Sequence, residues 1–213
     1  MVTIAIELNH VIRNINKQLL KYYQKDYHPE LDTDDIDEKK ENVLKKYIKF
    51  DSHRELNQFI YIDYPFEIFG AAKAMDKNLA RDVTNWMEEM TNREDEEFRV
   101  IYYSLNEEAL TIQSSYFFLS KLGTRVREVV FPKSIDEMKD KCDVIISSDE
   151  KSIQWAKDNN KQSVKIETNY KDDTSDKERT TVADFDYDSM EDVINDTKFL
   201  DKLVDNFLKN KEV

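Results

Sequence analysis

Near its amino end the chain carries consecutive apolar residues, Ile4-Ala5-Ile6, with no polar position between them. Such a run predicts a strand covered on both faces, as in a parallel sheet. The period then changes. Val11, Ile12, Ile15, Leu19, Leu20 and Tyr23 recur at helical spacing, which predicts an amphipathic helix over 11–25. At the carboxyl end of the strand stand Glu7 and Asn9, one residue apart, where open α/β sheets hold their ligands.

The stretch from His28 to Asp51 is polar, and its acids Asp32, Asp34, Asp35, Asp37 and Glu38 lead into a short helical pattern of Val43, Leu44, Tyr47 and Ile48. Acids ahead of a helix suit its dipole, and the run lacks the mid-loop glycine of a calcium-binding loop. Three apolar clusters then predict helices over 53–92: Leu56 to Ile62, Phe66 to Met75, and Leu79, Val83, Trp86, Met87, Met90. Pro65 and Gly70 punctuate them, and Asn92-Arg93-Glu94-Asp95 ends the block.

Regular alternation follows. Phe98–Ser104 reads as a strand, Ala109–Lys121 as a helix closed by Gly123, and Arg125–Phe131 as a half-alternating strand near a sheet edge. Ile135–Lys141 is a short helix, Cys142–Asp149 a buried strand with a polar tip, Glu150–Asn159 a helix and Ser163–Glu167 the last core strand. Tyr170–Arg179 is a polar loop, and Met190–Leu208 a terminal amphipathic helix for the chain's own core or for a partner. This alternation implies an α/β fold, a Rossmann-like parallel sheet flanked by helices. The expected layout is a core over 1–27 and 96–172, a helical insertion over 28–95, and a polar loop with a carboxyl-terminal helix over 173–213.

Composition narrows the chemistry. The 213 residues hold only two glycines, Gly70 and Gly123, so neither a Walker A loop nor a G-x-G-x-x-G dinucleotide loop can be present. A net charge of −13 argues against nucleic acid as the main partner, since phosphate neutralisation needs a basic face. Cys142 is the only cysteine, which excludes an intramolecular disulfide and reads as a small core residue. No apolar run is long enough to span a membrane and no signal-peptide pattern is visible, so a soluble cytoplasmic protein is expected. No two of His10, His28 and His53 have a metal-ligand spacing on one helix.

The first strand and its corner resemble the opening motif of the haloacid dehalogenase-like hydrolases, a strand followed by D-x-D-G. In that register Glu7 stands where the family has its nucleophilic Asp, Asn9 where it has the acid/base Asp, and His10 where it usually has Gly. Ser104 matches the strand-end hydroxyl of the second motif, and Lys139 or Lys141 (the latter preferred) the lysine ahead of the fourth strand. Ser147-Ser148-Asp149 keeps a single acid where the fourth motif has a Mg²⁺-binding pair. The resemblance covers about 1–25 and 98–170 and implies that 28–95 is an inserted helical cap. It further implies that any Mg²⁺ would be held weakly, by Glu7, Asp149 and the main-chain oxygen of Asn9.

The altered pair bears on catalysis. One extra methylene in Glu7 displaces the attacking oxygen by about 1.5 Å, and a misplacement of ~1 Å can cost on the order of 100-fold in rate. An amide at Asn9 cannot act as a general acid or base, a loss of ~10²–10⁴-fold. The bland reading of His10 is a packing residue at the corner; the alternative is a substitute acid. The expectation is a catalytically degenerate relative that binds a phosphorylated small molecule or a protein partner. Against it stands a working Mg²⁺-dependent phosphatase of the 5′-nucleotidase type. A third possibility is a scaffold in an assembly such as a phage particle, consistent with a composition rich in Lys, Asp, Asn and Tyr.

Overall fold

The apolar run at the amino end forms strand β1 (Val2–Glu7), buried along its whole length. The computed structural model describes residues 1–37, 43–91, 97–167 and 183–211. The loop expected over Tyr170–Arg179, the break at Asn92–Asp95, Glu38, the Phe207 side chain and the domain limits at 95/96 and 172/173 lie outside the described residues.

Beside β1 lie β4 (Phe98–Tyr103), β5 (Val129–Val130), β6 (Val144–Ser147), β7 (Gln162–Ile166) and β8 (Phe185–Tyr187), in the order β5-β4-β1-β6-β7-β8. Every pairing in this sheet is parallel. The order reverses between β1 and β6, the topological switch point at which α/β sheets open a crevice beyond their carboxyl ends. Glu7 is in register with Tyr103, and Ile6 with Ile146, so the carboxyl ends of β4, β1 and β6 lie side by side. The described protein is thus an α/β fold of the Rossmann-like kind.

Alternation along each strand builds two unequal layers. Ile4, Ile6, Tyr102, Val144 and Ile146 face a large cluster. Helices α1 (Asn16–Asp26), α4 (Leu79–Thr91), α5 (Ala109–Leu122), α7 (Met190–Asn195) and α8 (Phe199–Lys211) feed the same cluster. Ala5, Ile101, Tyr103 and Ile145 face a smaller one made by helix α6 (Glu150–Asp158), Met138 and Cys142. Cys142 is the buried core thiol expected of it, and burial pushes it up to about 11. Helix α5 ends at Gly123, whose φ of 73° lets its N–H return to the Leu119 carbonyl at 3.1 Å. No described helix is long and apolar enough to cross a membrane.

Several elements depart from the sequence pattern. The first helix starts at Asn16, because residues 8–15 form a tight corner instead: Ile12 N–H and Arg13 N–H both donate to the Leu8 carbonyl, at 3.1 and 2.7 Å. Val11 and Ile12 are buried inside that corner. Next to it β2 (Arg13–Asn14) pairs antiparallel with β3 (Lys73–Ala74). The helices read over 53–92 are, before α4, a short α3 (His53–Asn57) and two wide π-helical turns, Gln58–Asp63 and Phe66–Gly70. In the polar stretch before them, α2 is only Val43–Lys46.

Within 28–95, Phe59, Ile68, Phe69, Val83 and Trp86 belong to the same apolar cluster as β1, so the described part of the segment joins the core of the sheet. The strand expected at Arg125–Phe131 shrinks to Val129–Val130, which does lie at the sheet edge. The helix expected over Ile135–Lys141 is a single 3₁₀ turn, Ile135–Met138.

Ser163–Glu167 is not the last strand: β8 adds a sixth, and the terminal helix is broken in two. Ser189 caps α7 by accepting from Asp192 N–H at 3.2 Å, and Asp196 ends it by accepting from Lys198 N–H. The break seats Phe199, fully buried, against the rings of Trp86, Phe185 and Tyr187, so this end packs on the chain's own core. Phe199→Ala should therefore cost about 3–5 kcal/mol in a chemical-denaturation experiment. A loss below about 1 kcal/mol would mean that α8 is not integral to the core.

Candidate functional site

Three strand ends supply the residues at the switch point. Glu7 closes β1, buried on the side of the smaller cluster. One of its carboxylate oxygens, Oε2, accepts from Ser147 Oγ at 2.7 Å, from Ser148 N–H at 3.0 Å and from Ser148 Oγ at 3.3 Å. Burial still dominates. Removal from water pushes the Glu7 carboxyl from 4.5 up to about 7, against the lowering effect of those donors; the Asp149 charge adds to the rise. Tyr103, its register partner, is also fully buried and its hydroxyl lacks a well-formed hydrogen bond, although Ser147 and Ser152 lie near it. Desolvation, then the Glu7 charge, holds this phenol well above its usual range.

Asn9 lies two residues on and looks the other way. Its amide Nδ2 donates to Ser104 Oγ at 3.2 Å, and its Oδ1 accepts from Arg13 Nε at 3.0 Å and Arg13 Nη2 at 2.7 Å. Arg13 is wholly buried. Its Nη2 meets Glu107 Oε1 at 2.6 Å, and its Nη1 donates to Ser115 Oγ at 2.5 Å. Ser115 in turn donates to the other Glu107 oxygen at 2.6 Å. The guanidinium is also covered by the rings of Phe69 and Phe118, at 5.0 and 5.4 Å from their centroids. Ser104, Asn9, Arg13, Glu107 and Ser115 thus form one closed polar chain linking the corner after β1, the loop after β4 and α5.

His10 sits in that corner with φ 65°, the left-handed region that glycine adopts at least cost. Its side chain is partly exposed. Desolvation, then the Arg13 charge, lowers its imidazole to about 4, which favours the neutral ring at pH 7. Asp149 caps α6: its Oδ2 accepts from Ser152 N–H at 3.0 Å and Ser152 Oγ at 2.9 Å.

The structure therefore brings Glu7, Asn9, Ser104 and Asp149 to the same end of the sheet. It does not bring the lysines there. Lys139 and Lys141 are exposed and precede β6, whose Val144 is in register with Ile4, so they stand towards the amino end of the strands. Asp143, just after Lys141, donates its N–H to the Thr3 carbonyl at the start of β1. Lys133 lies at the carboxyl end, lining a cleft of 860 Å³ with Tyr61, Asn106 and Glu107. Sequence reasoning missed Arg13 and Glu107. Arg13 had a faint signal, a lone cation in the apolar series Val11-Ile12-Ile15; Glu107 had none.

Side-chain oxygens are already engaged at this end, Asn9 Oδ1 by Arg13 and one oxygen each of Glu7 and Asp149 by protein donors, whereas a hard cation wants several free oxygens. Among the described residues no three acidic, histidine or cysteine side chains gather to hold a metal. The chain matches no protein-family profile and no curated protein.

The Glu7 shift makes a pH prediction. Between pH 4.5 and about 7 the native protein keeps a proton on Glu7 that the unfolded chain has lost, so this group favours the native state least at high pH. The full cost above pH 7 is about 3 kcal/mol. Glu7→Gln keeps an acceptor and removes the charge. It should raise the melting temperature by several degrees near pH 8 and by little near pH 5, read by thermal denaturation of both proteins. An equal difference at both pH values would contradict the buried, protonated Glu7.

Proposed function

We propose that the chain is a haloacid dehalogenase-like protein that has exchanged phosphoryl-transfer chemistry for a structural role of the same residues, and that it acts by binding. Support for the family comes from arrangement. The motif positions Glu7, Asn9, Ser104 and Asp149 converge at the switch point, and His10 has the glycine-like backbone of the D-x-D-G corner.

The observation that carries the loss of catalysis is the engagement of Asn9 between Ser104 and Arg13. The residue that would move the proton is an amide, and both ends of it are already committed. Its second-motif neighbour Ser104 accepts from the Asn9 amide at 3.2 Å, which ties the strand-end hydroxyl to the corner after β1. Glu7, half protonated near pH 7 and held at Oε2 by Ser147 and Ser148, is a poor nucleophile. Two independent defects of ~10²-fold or more multiply to ~10⁴-fold or more, far below the turnover of a working phosphatase.

The test is hydrolysis of a panel of phosphomonoesters, including nucleoside 5′-monophosphates, with Mg²⁺ and with EDTA. The wild type should be silent, and Glu7→Asp/Asn9→Asp should gain little, because the second carboxylate would fall to the buried Arg13. Metal-dependent turnover by the wild type that Glu7→Ala abolishes would replace this reading with a phosphatase of the 5′-nucleotidase kind.

A further inference from the structure

Away from the strand ends, a groove of 560 Å³ opens between the start of α1, the β3 hairpin strand and the end of α5. Four lysines from three stretches of the sequence line it: Lys17, Lys73 and Lys77, and Lys121. Asp76 is the one acidic residue among its described lining residues. In a chain of net charge −13, a local excess of three positive charges runs against the surrounding field. The floor is apolar, made by Ala72, Phe118 and Leu122. The volume lies within the range of small-molecule sites.

One of the cations is held in place. Lys121 Nζ donates to the Gly70 carbonyl at 3.2 Å and to the Ala72 carbonyl at 2.9 Å, which fixes its ammonium at the rim and leaves one of its three N–H groups. Partial burial, then the nearby charge of Lys73, lowers the Lys121 amine. An anion lying between Lys73 and Lys121 would relieve their repulsion.

We propose that this groove binds a compact organic polyphosphate of the nucleoside di- or triphosphate class, its phosphates on Lys73, Lys77 and Lys121 and its flat apolar moiety on the floor. A long polyanion is disfavoured, since everything beyond a Debye length of about 8 Å would meet the acidic remainder of the surface. Lysines are point-charge phosphate binders and need no glycine loop. The site shares none of the switch-point residues Glu7, Asn9, Ser104 or Asp149, and so stands whether or not that cluster is catalytic.

Calorimetry with ATP, AMP and inorganic tripolyphosphate at physiological salt tests it. ATP should bind in the micromolar range, with AMP and tripolyphosphate each weaker by roughly tenfold or more. Lys73→Glu/Lys77→Glu, both exposed positions, should abolish the heat while thermal stability stays near wild type. Lys151→Glu/Lys157→Glu on α6, which changes the net charge equally, should keep it, as should Glu7→Gln. Absence of ATP binding at millimolar concentration would overturn the proposal. So would binding that survives the Lys73/Lys77 variant, or that is lost equally in the Lys151/Lys157 control. Equal affinity for ATP and tripolyphosphate would overturn the organic assignment.

Discussion

The ion pair between Arg13 and Glu107 is the constraint around which the carboxyl end of the sheet is arranged. Two opposite charges at 2.6 Å, both inside the protein, are tolerable only if their remaining hydrogen-bonding capacity is met. Here it is met by Asn9, Ser115 and the faces of Phe69 and Phe118. These partners come from the corner itself, α5 and the second π-helical turn, so the pair fixes the corner after β1 against α5, the loop after β4 and that turn at once. Removing either member would strand a buried charge, a loss in the range of 3–5 kcal/mol.

That constraint gives a physical reason for the amide at position 9. A second carboxylate beside Arg13 would leave the closed network with net negative charge and with Glu107 competing for the same guanidinium. Asn9 supplies an acceptor to Arg13 and a donor to Ser104, which a carboxylate cannot do. Under the proposed reading, the amide that stands in for an acid/base group is also what lets the polar chain close. Glu7 follows the same logic on the other face of β1: its longer side chain reaches Ser147 and Ser148, joins β1 to β6, and spends its oxygen on structure.

Much of this architecture was legible in the chain because it rests on local signals. The unbroken apolar run of β1, the strand β4 followed by Ser104 and the helix closed by Gly123 each follow from short-range pattern, and the alternation of elements implies the parallel sheet. The convergence of Glu7, Asn9, Ser104 and Asp149 came from their shared position at strand ends. What was not legible depended on distant partners. Val11 and Ile12 fit a helical spacing, yet Arg13 pulls the chain into a corner to meet Glu107, 94 residues on. Phe185–Tyr187 is too short to announce itself as a strand and is specified by pairing with β7 and by Phe199 beneath it. Lys139 and Lys141 shared the sequence neighbourhood of the fourth strand, but lie before it, at its amino end.

The state of the Glu7 carboxyl tests the central claim most directly, and carbon-13 NMR of the side-chain carboxyl, titrated with and without Mg²⁺, reads it. A carboxyl buried on Ser147 and Ser148 should titrate at about 7 and should not respond to the metal. A midpoint near the ordinary 4.5, or one that falls when Mg²⁺ is added, would show an open, metal-binding carboxylate and contradict the account.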